Sequence, residues 1–193
     1  MRVITGSAKG HTLRAVPGEG TRPILDRVKE SLFNILGPEV RGKTFLDLYA
    51  GTGSVGIEAL SRGAAHCVFV DLARKAIQTI HRNLEATGLT ERAEVIKDDA
   101  FHFIRSASGE RRFDYIYVAP PQYRGLWSET LLALDDCSLL TSRGTAIVQL
   151  DPKEAEPLAL NNLYLFDKRE YGNTLLLFFA PDTEDQVLEE ETR

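Results

Sequence analysis

"FLDLYAGTGSVGIEAL", residues 45–60, decides how this chain is read. It opens as an apolar strand, breaks into Gly51-x-Gly53-x-x-Gly56, and continues as a helix-forming run. Asp71 closes the next apolar stretch, "HCVFVD", twenty residues after Gly51. Glycines at this spacing permit a tight turn and let a ligand approach the backbone. An acid at the end of the following strand suits the two hydroxyls of a ribose.

The nucleotide is narrowed by Asp47, which lies inside the first strand, four residues before Gly51. A carboxylate there repels a pyrophosphate but pairs with an ammonium, which argues against NAD and for S-adenosylmethionine, a ligand with an amino-acid end and no phosphate. Asp47, Tyr49, Ala50, Gly51, Thr52 and Gly53 then form the seat for the amino-acid end. Asp71, with Leu72 beside it, takes the ribose, and Asp99-Ala100 after the third strand takes the adenine. Asp98 and Asp99 suit equally well the cap of the helix that follows them.

Working outward, strands and helices alternate from Lys43 onward. Strand patterns at 44–49, 66–71, 93–97, 113–118 and 144–150 are separated by helical patterns running to Arg62, over 73–86, around 101–106 and around 127–134. "NLYLFDKREY" and "TLLLFF", joined by Gly172-Asn173, read as an antiparallel closing hairpin. The alternation predicts an α/β fold: a mostly parallel sheet of Rossmann type with helices on both faces. Ahead of it, "RVIT" and "HTLRAV" around a Gly6–Gly10 turn read as a β-hairpin. Pro23 opens a helix through Leu36 with Val28, Leu32, Ile35 and Leu36 on its apolar stripe, stopped by Gly37-Pro38. One domain over 1–181 is expected, with 1–42 as an extension and 182–193 as a solubilising acidic tail.

Bulk properties exclude several classes. The longest wholly apolar run is six residues, Leu175 to Ala180, far short of a membrane span. Cys67 and Cys137 are isolated, and the four histidines form no ligand pattern, so neither a disulfide framework nor a metal site is expected and a reducing cytoplasm suits the chain. A monomer is the default expectation. Net charge is −5, yet residues 1–43 carry eight Lys and Arg against four acids, a basic quarter suited to phosphate contacts or simply to a solvated surface.

The stretch "IYVAPPQYRGLW", residues 116–127, is the second decisive one. A strand that runs into Pro120-Pro121 loses its ladder donors there and must turn, which makes the lip of a site. Enzymes that methylate amines carry Asp or Asn, then Pro-Pro, then Tyr or Phe at such a lip. Here those positions are Ala119 and Gln122, with Tyr123 one place late.

At this point the chain resembles a known family, the RsmD-type RNA guanine-N2 methyltransferases that act on 16S ribosomal RNA. "RVITGSAKGHTL" is similar to the family's opening hairpin and "TRPILDRVKESLFNIL" to its most specific signature, with Ile24 where the family usually has Thr. "FLDLYAGTGSVGIEALSRGA" and "REYGNTLLLFF" match its cofactor loop and closing strand. The resemblance implies the class I methyltransferase fold of seven strands with the last antiparallel, S-adenosylmethionine as cofactor, and ribosomal RNA, alone or within an assembling small subunit, as partner. It makes Arg22, Arg27 and Glu30 candidates for the RNA side of the site; without it they read as solvated charges. It also assigns the lip, Ala119, Pro120, Pro121, Gln122 and Tyr123, to catalysis. In that pattern hydrogen-bond acceptors hold the poorly nucleophilic amine in line with the methyl group, and an aromatic stacks on the base. Ala119 has lost the side-chain acceptor, Gln122 supplies a side-chain oxygen nearby, and Tyr123 or Trp127 supplies the stacking face. The departures leave open an altered acceptor or a catalytically silent RNA-binding relative.

Overall fold

Seven strands form one sheet in the order β3-β2-β1-β4-β5-β7-β6 in the computed structural model, which describes residues 1–18 and 24–182. The strands are β1 (Thr44–Leu48), β2 (His66–Asp71), β3 (Ala93–Lys97), β4 (Phe113–Val118), β5 (Leu140–Leu150), β6 (Leu163–Tyr171) and β7 (Thr174–Pro181). β1 to β5 pair in parallel, and β7 inserts antiparallel between β5 and β6, as the Gly172-Asn173 turn requires. The class I methyltransferase arrangement expected from the resemblance is the one observed.

Strand alternation divides the core in two. Phe45, Phe69, Tyr117, Ile147 and Phe178 face α1 (Asp26–Leu36), α2 (Ser54–Ser61) and α3 (Arg74–Thr87). Leu46, Val68, Ile116, Val148 and Leu177 face α4 (Ala100–Ala107) and α5 (Leu126–Asp135). α2 is buried along its whole length, between the sheet and the N-terminal segment. A Cβ on Gly56 would lie 2.3 Å from the Phe69 ring and 2.6 Å from Cys67 Sγ, so the third glycine of the loop motif sets how closely helix and sheet approach.

Two sequence expectations change. The N-terminal hairpin is a single Arg2–Thr12 bridge with a few flanking bonds rather than a ladder. Its amides go to helix side chains instead: Ile4 and Thr5 N–H donate to Glu58 at 2.7 and 3.0 Å, Ala8 N–H to Ser61 Oγ, and Arg14 N–H to Asn83 Oδ1. Gly6, at φ +89°, touches Ser61 so closely that an added Cβ would lie 1.8 Å from its carbonyl oxygen. On α1, Phe33 and Lys29 join Val28, Leu32 and Leu36 on the buried face, and Ile35 is 38% exposed. The helix rotates to place Lys29 against Glu58 of α2, which turns Ile35 outward. Pro23, the expected helix start, lies outside the described residues, as does the tail from 183; the helix itself begins at Asp26, after Leu25 in extended conformation.

Candidate active site

β1 is followed by a helix on one face of the sheet and its neighbour β4 by a helix on the other. Their C-terminal ends therefore open a crevice where the connections diverge, the usual ligand position in such sheets. A cavity of about 780 Å³ occupies it, within the roughly 300–1,000 Å³ common for small-molecule sites. Asp47, Tyr49, Ala50, Gly51, Thr52, Asp71, Leu72, Asp99 and Ala100 line it from the cofactor side, and Ala119, Pro120, Pro121 and Gln122 from the lip. Gly53 and Gly56 stand behind this lining, shaping the loop and its helix.

Asp47 is 2% exposed. Its Oδ2 accepts the Gly56 N–H at 3.0 Å, and its other oxygen has no hydrogen bond among the described residues. Burial pushes its pKa up to about 8, against the Gly56 N–H and with help from the Asp71 charge. A buried carboxylate opening onto a cavity, with one oxygen free, fits an ammonium group. Asp71 sits at the rim, where Oδ2 accepts Gly51 N–H and Oδ1 accepts Ala73 N–H, both at 2.8 Å. It therefore anchors the loop as well as offering its remaining lone pairs to a ribose. Tyr49 holds φ +60°, a costly conformation for a non-glycine residue. Its hydroxyl is fixed at 2.7 Å from Thr130 Oγ1. These residues fit S-adenosylmethionine, with Asp47 for the amino group and Asp71 for the sugar.

At the adenine end Asp99 takes the capping role that the sequence allowed beside a binding one. Asp99 is the N-cap of α4: its Oδ1 accepts Phe101 and His102 N–H at 3.0 and 3.1 Å. Asp98 is bound to His102 Nδ1 at 2.7 Å, which lowers its pKa. Asp99 Oδ1 is committed to the cap, yet Asp99 still lines the cavity, beside the main chain at Ala100 and the apolar surfaces of Leu72 and Phe101.

The lip is corrected. Trp127, on the inner face of α5, is 3% exposed and packed in the core, so it presents no stacking face. Tyr123 is 64% exposed but lies outside the cavity lining. Held at φ +60°, it donates its main-chain N–H to Glu154 at 2.6 Å and its hydroxyl to Asp151 at 2.8 Å. Arg27 and Glu30 are exposed on α1 and do not reach the cavity; Arg22 lies outside the described residues.

Sequence reading missed Ile24, Arg124, Tyr117 and Gln149, all in the lining. Gln149 had a visible signal: a polar residue inside the otherwise apolar "AIVQL". It also passed over Lys29, fully buried in the signature helix, whose Nζ donates to Arg2 carbonyl at 2.6 Å and pairs with Glu58 at 3.6 Å. Glu58 in turn accepts from Arg62 at 2.8 Å. This network fastens the N-terminal segment to α2 and so to the cofactor loop.

Known proteins match the chain over most of its length. The family model described as Conserved hypothetical protein 95 matches residues 1–180. YlbH of Bacillus subtilis (strain 168), named as a candidate rRNA methyltransferase, is 42% identical over 175 residues, 90% of this chain and 95% of its own. Ribosomal RNA small subunit methyltransferase D of Escherichia coli (strain K12) is 31% identical over 186 residues, 96% of this chain and 92% of its own. The solved structure of yhhF from Escherichia coli, described as a candidate methyltransferase, superposes with a TM-score of 0.82 at 31% identity, covering 95% of this chain and 99% of that one. With a family match over nearly its whole length and relatives above 30% identity, the chain belongs to the RsmD family.

Proposed function

We propose that the chain is an S-adenosylmethionine-dependent methyltransferase that modifies the N2 amine of a guanine in 16S ribosomal RNA. One observation carries the reading: a single cavity is bounded by a buried, cation-seeking Asp47 on one side and by the Ala119-Pro120-Pro121-Gln122 lip on the other. Relatives that match 90% and 96% of the chain are named as rRNA methyltransferases, the first as a candidate one.

The bound cofactor supplies an electrophilic methyl group. The chain's own residues do the rest. Asp47 anchors the amino group, Asp71 the ribose, and the stiff proline pair fixes the carbonyls of Ala119 and Pro120 as acceptors for the amine hydrogens. Gln122, which lines the cavity, adds a side-chain acceptor where Ala119 offers none. The work is orientation of the amine against the methyl group, with acceptors turning its lone pair out of the ring. Exposed cations of the N-terminal quarter, Lys9, Arg14 and Arg27, provide phosphate contacts. Ala119 also supports a second reading, an RNA-binding relative without chemistry.

Mass spectrometry of ribosomal RNA nucleosides, with and without the gene, tests the proposal. N2-methylguanosine that disappears from 16S RNA with the gene and returns with the purified protein supports it. An unchanged nucleoside profile removes it.

A further inference from the structure

Three polar side chains form a stepped row in the cavity lining. The register pairs Asp47 of β1 with Tyr117 of β4, and Tyr117 with Ile147 of β5. Two residues on, Gln149 falls on the same face as Ile147 and, one step past the Val118–Val148 pair, level with Ala119. Asp47, Tyr117 and Gln149 all line the cavity, so the row runs from the cofactor side to the lip.

Tyr117 is 2% exposed and donates its hydroxyl to Gln149 Oε1. Burial, with the Asp47 charge adding to it, raises its pKa well above the usual phenol range, so it remains a donor. In the structure the amide oxygen faces the Tyr117 hydroxyl and the amide nitrogen is turned away from it. The amide nitrogen of Gln149 has no hydrogen bond among the described residues, and it is not a buried, unsatisfied atom. Its N–H groups are therefore open to whatever enters the cavity. The other side chains in the row are acceptor or already committed: Asp47 offers a carboxylate oxygen, Tyr117 is spent on Gln149. At the lip end, then, the row presents donors fixed in place by a buried tyrosine.

We propose that Gln149 reads the acceptor base, donating an amide N–H to the O6 carbonyl on the edge of the purine whose 2-amine is methylated, and that Tyr117 is its positioning residue. This rests on the guanine reading given above. The lip acceptors recognise an amine, which 2,6-diaminopurine also carries; the Gln149 donor distinguishes a 6-carbonyl from a 6-amine. Ala119, level with Gln149, carries only a methyl group and brings no polar atom of its own to that end of the row.

The experiment uses 16S RNA assembled with small-subunit proteins, with either guanine or a single 2,6-diaminopurine spliced in at the nucleotide that mass spectrometry identifies as methylated. Single-turnover rates are measured at saturating S-adenosylmethionine for the parent, Gln149→Leu, Gln149→Glu and Tyr117→Phe, and cofactor affinity is measured alongside. Opposing a fixed donor with a 6-amine should slow the parent about ten- to two-hundredfold. Gln149→Leu should bring the ratio of the two rates near one. Gln149→Glu should invert it, because a carboxylate accepts from the 6-amine. Tyr117→Phe, which frees the amide to rotate, should reduce the preference without inverting it. Cofactor affinity should stay within about twofold in Gln149→Leu, which marks a folded protein. A parent that methylates both RNAs equally, or Gln149→Leu retaining the parent's ratio, overturns the assignment. A parent that methylates neither RNA removes the guanine function itself and the inference with it.

Discussion

Asp47 Oδ2 accepts the Gly56 N–H at 3.0 Å, which ties the end of β1 to the first turn of α2 and holds a carboxyl group inside the crevice. With its pKa raised to about 8 by burial, Asp47 is largely protonated in the free protein at neutral pH. An ammonium beside it favours the charged form and releases the proton. S-adenosylmethionine affinity should therefore rise as pH goes from 6 to about 8 and level off, with close to one proton released per cofactor bound below pH 8. Calorimetry in buffers of different ionisation enthalpy measures both. Asp47→Asn should weaken binding by about 1.5–3 kcal/mol and abolish the proton release; unchanged release in that variant would mean another group titrates. Stability follows the same shift with opposite sign. The folded pKa lies above the unfolded one, so this contribution is present below about pH 4 and is lost as pH rises through 8. Asp47→Asn should flatten that part of the stability profile.

Asp71 bridges two amides, Gly51 on the loop and Ala73 at the start of α3. Removing it costs both the ribose acceptor and the loop anchor. Asp71→Ala should weaken S-adenosylmethionine binding by about 1–3 kcal/mol. Asp71→Asn, which keeps one acceptor oxygen, should lose less. Equal affinity in the alanine variant would place the ribose elsewhere.

The buried Lys29–Glu58 pair predicts an asymmetry in stability. Glu58 keeps Arg62 and two main-chain donors when Lys29 becomes Met, whereas Lys29 is left without its carboxylate when Glu58 becomes Gln. Uncompensated buried charge costs about 3–5 kcal/mol, tempered here because burial already lowers the Lys29 pKa and eases loss of its proton. Glu58→Gln should therefore unfold at clearly lower denaturant concentration than Lys29→Met. The reverse order would mean that the N-terminal segment is held mainly by its main-chain bonds to Ser61 and Asn83.

How much of this was legible in the sequence depends on how local the signal is. β2 over "HCVFVD" and the Gly172-Asn173 hairpin are local patterns, and they matched to the residue or nearly so. The cofactor loop was legible from its glycine spacing together with Asp47 before it and Asp71 after the next strand. What escaped is set by tertiary partners. Lys29 looks like a solvated charge until α2 brings Glu58 to it. The N-terminal strands look ladder-forming until Glu58, Ser61 and Asn83 take their amides. Tyr123 and Trp127 look interchangeable as stacking faces, yet one is latched to Asp151 and the other lies in the core.

Charge reversal at Arg27 should lower RNA affinity and reduce the slope of log affinity against log salt by about one, because a single phosphate contact is lost. Cofactor affinity should not change, since Arg27 is outside the cavity lining. Filter binding across a salt series gives the slope. An unaltered slope would take α1 out of the RNA face.

The lip provides the last test. Gln122 lines the cavity, while Tyr123 beside it is held to Asp151 and Glu154 and turned away. If Gln122 accepts from the amine only as the methyl moves, Gln122→Ala should lower kcat by about ten- to two-hundredfold with S-adenosylmethionine affinity intact, the mark of an interaction made in the transition state. Ala119→Asp places a carboxylate level with Gln149 and close to Gln122, so it should not act as a simple repair. Combined with Gln122→Tyr it restores the family's pattern, and that double variant should be active and faster than Gln122→Ala. Single-turnover rates decide the order. Should Gln122→Ala methylate at the parent rate, the carbonyls of Ala119 and Pro120 must hold the amine alone, which the rigid proline pair would permit.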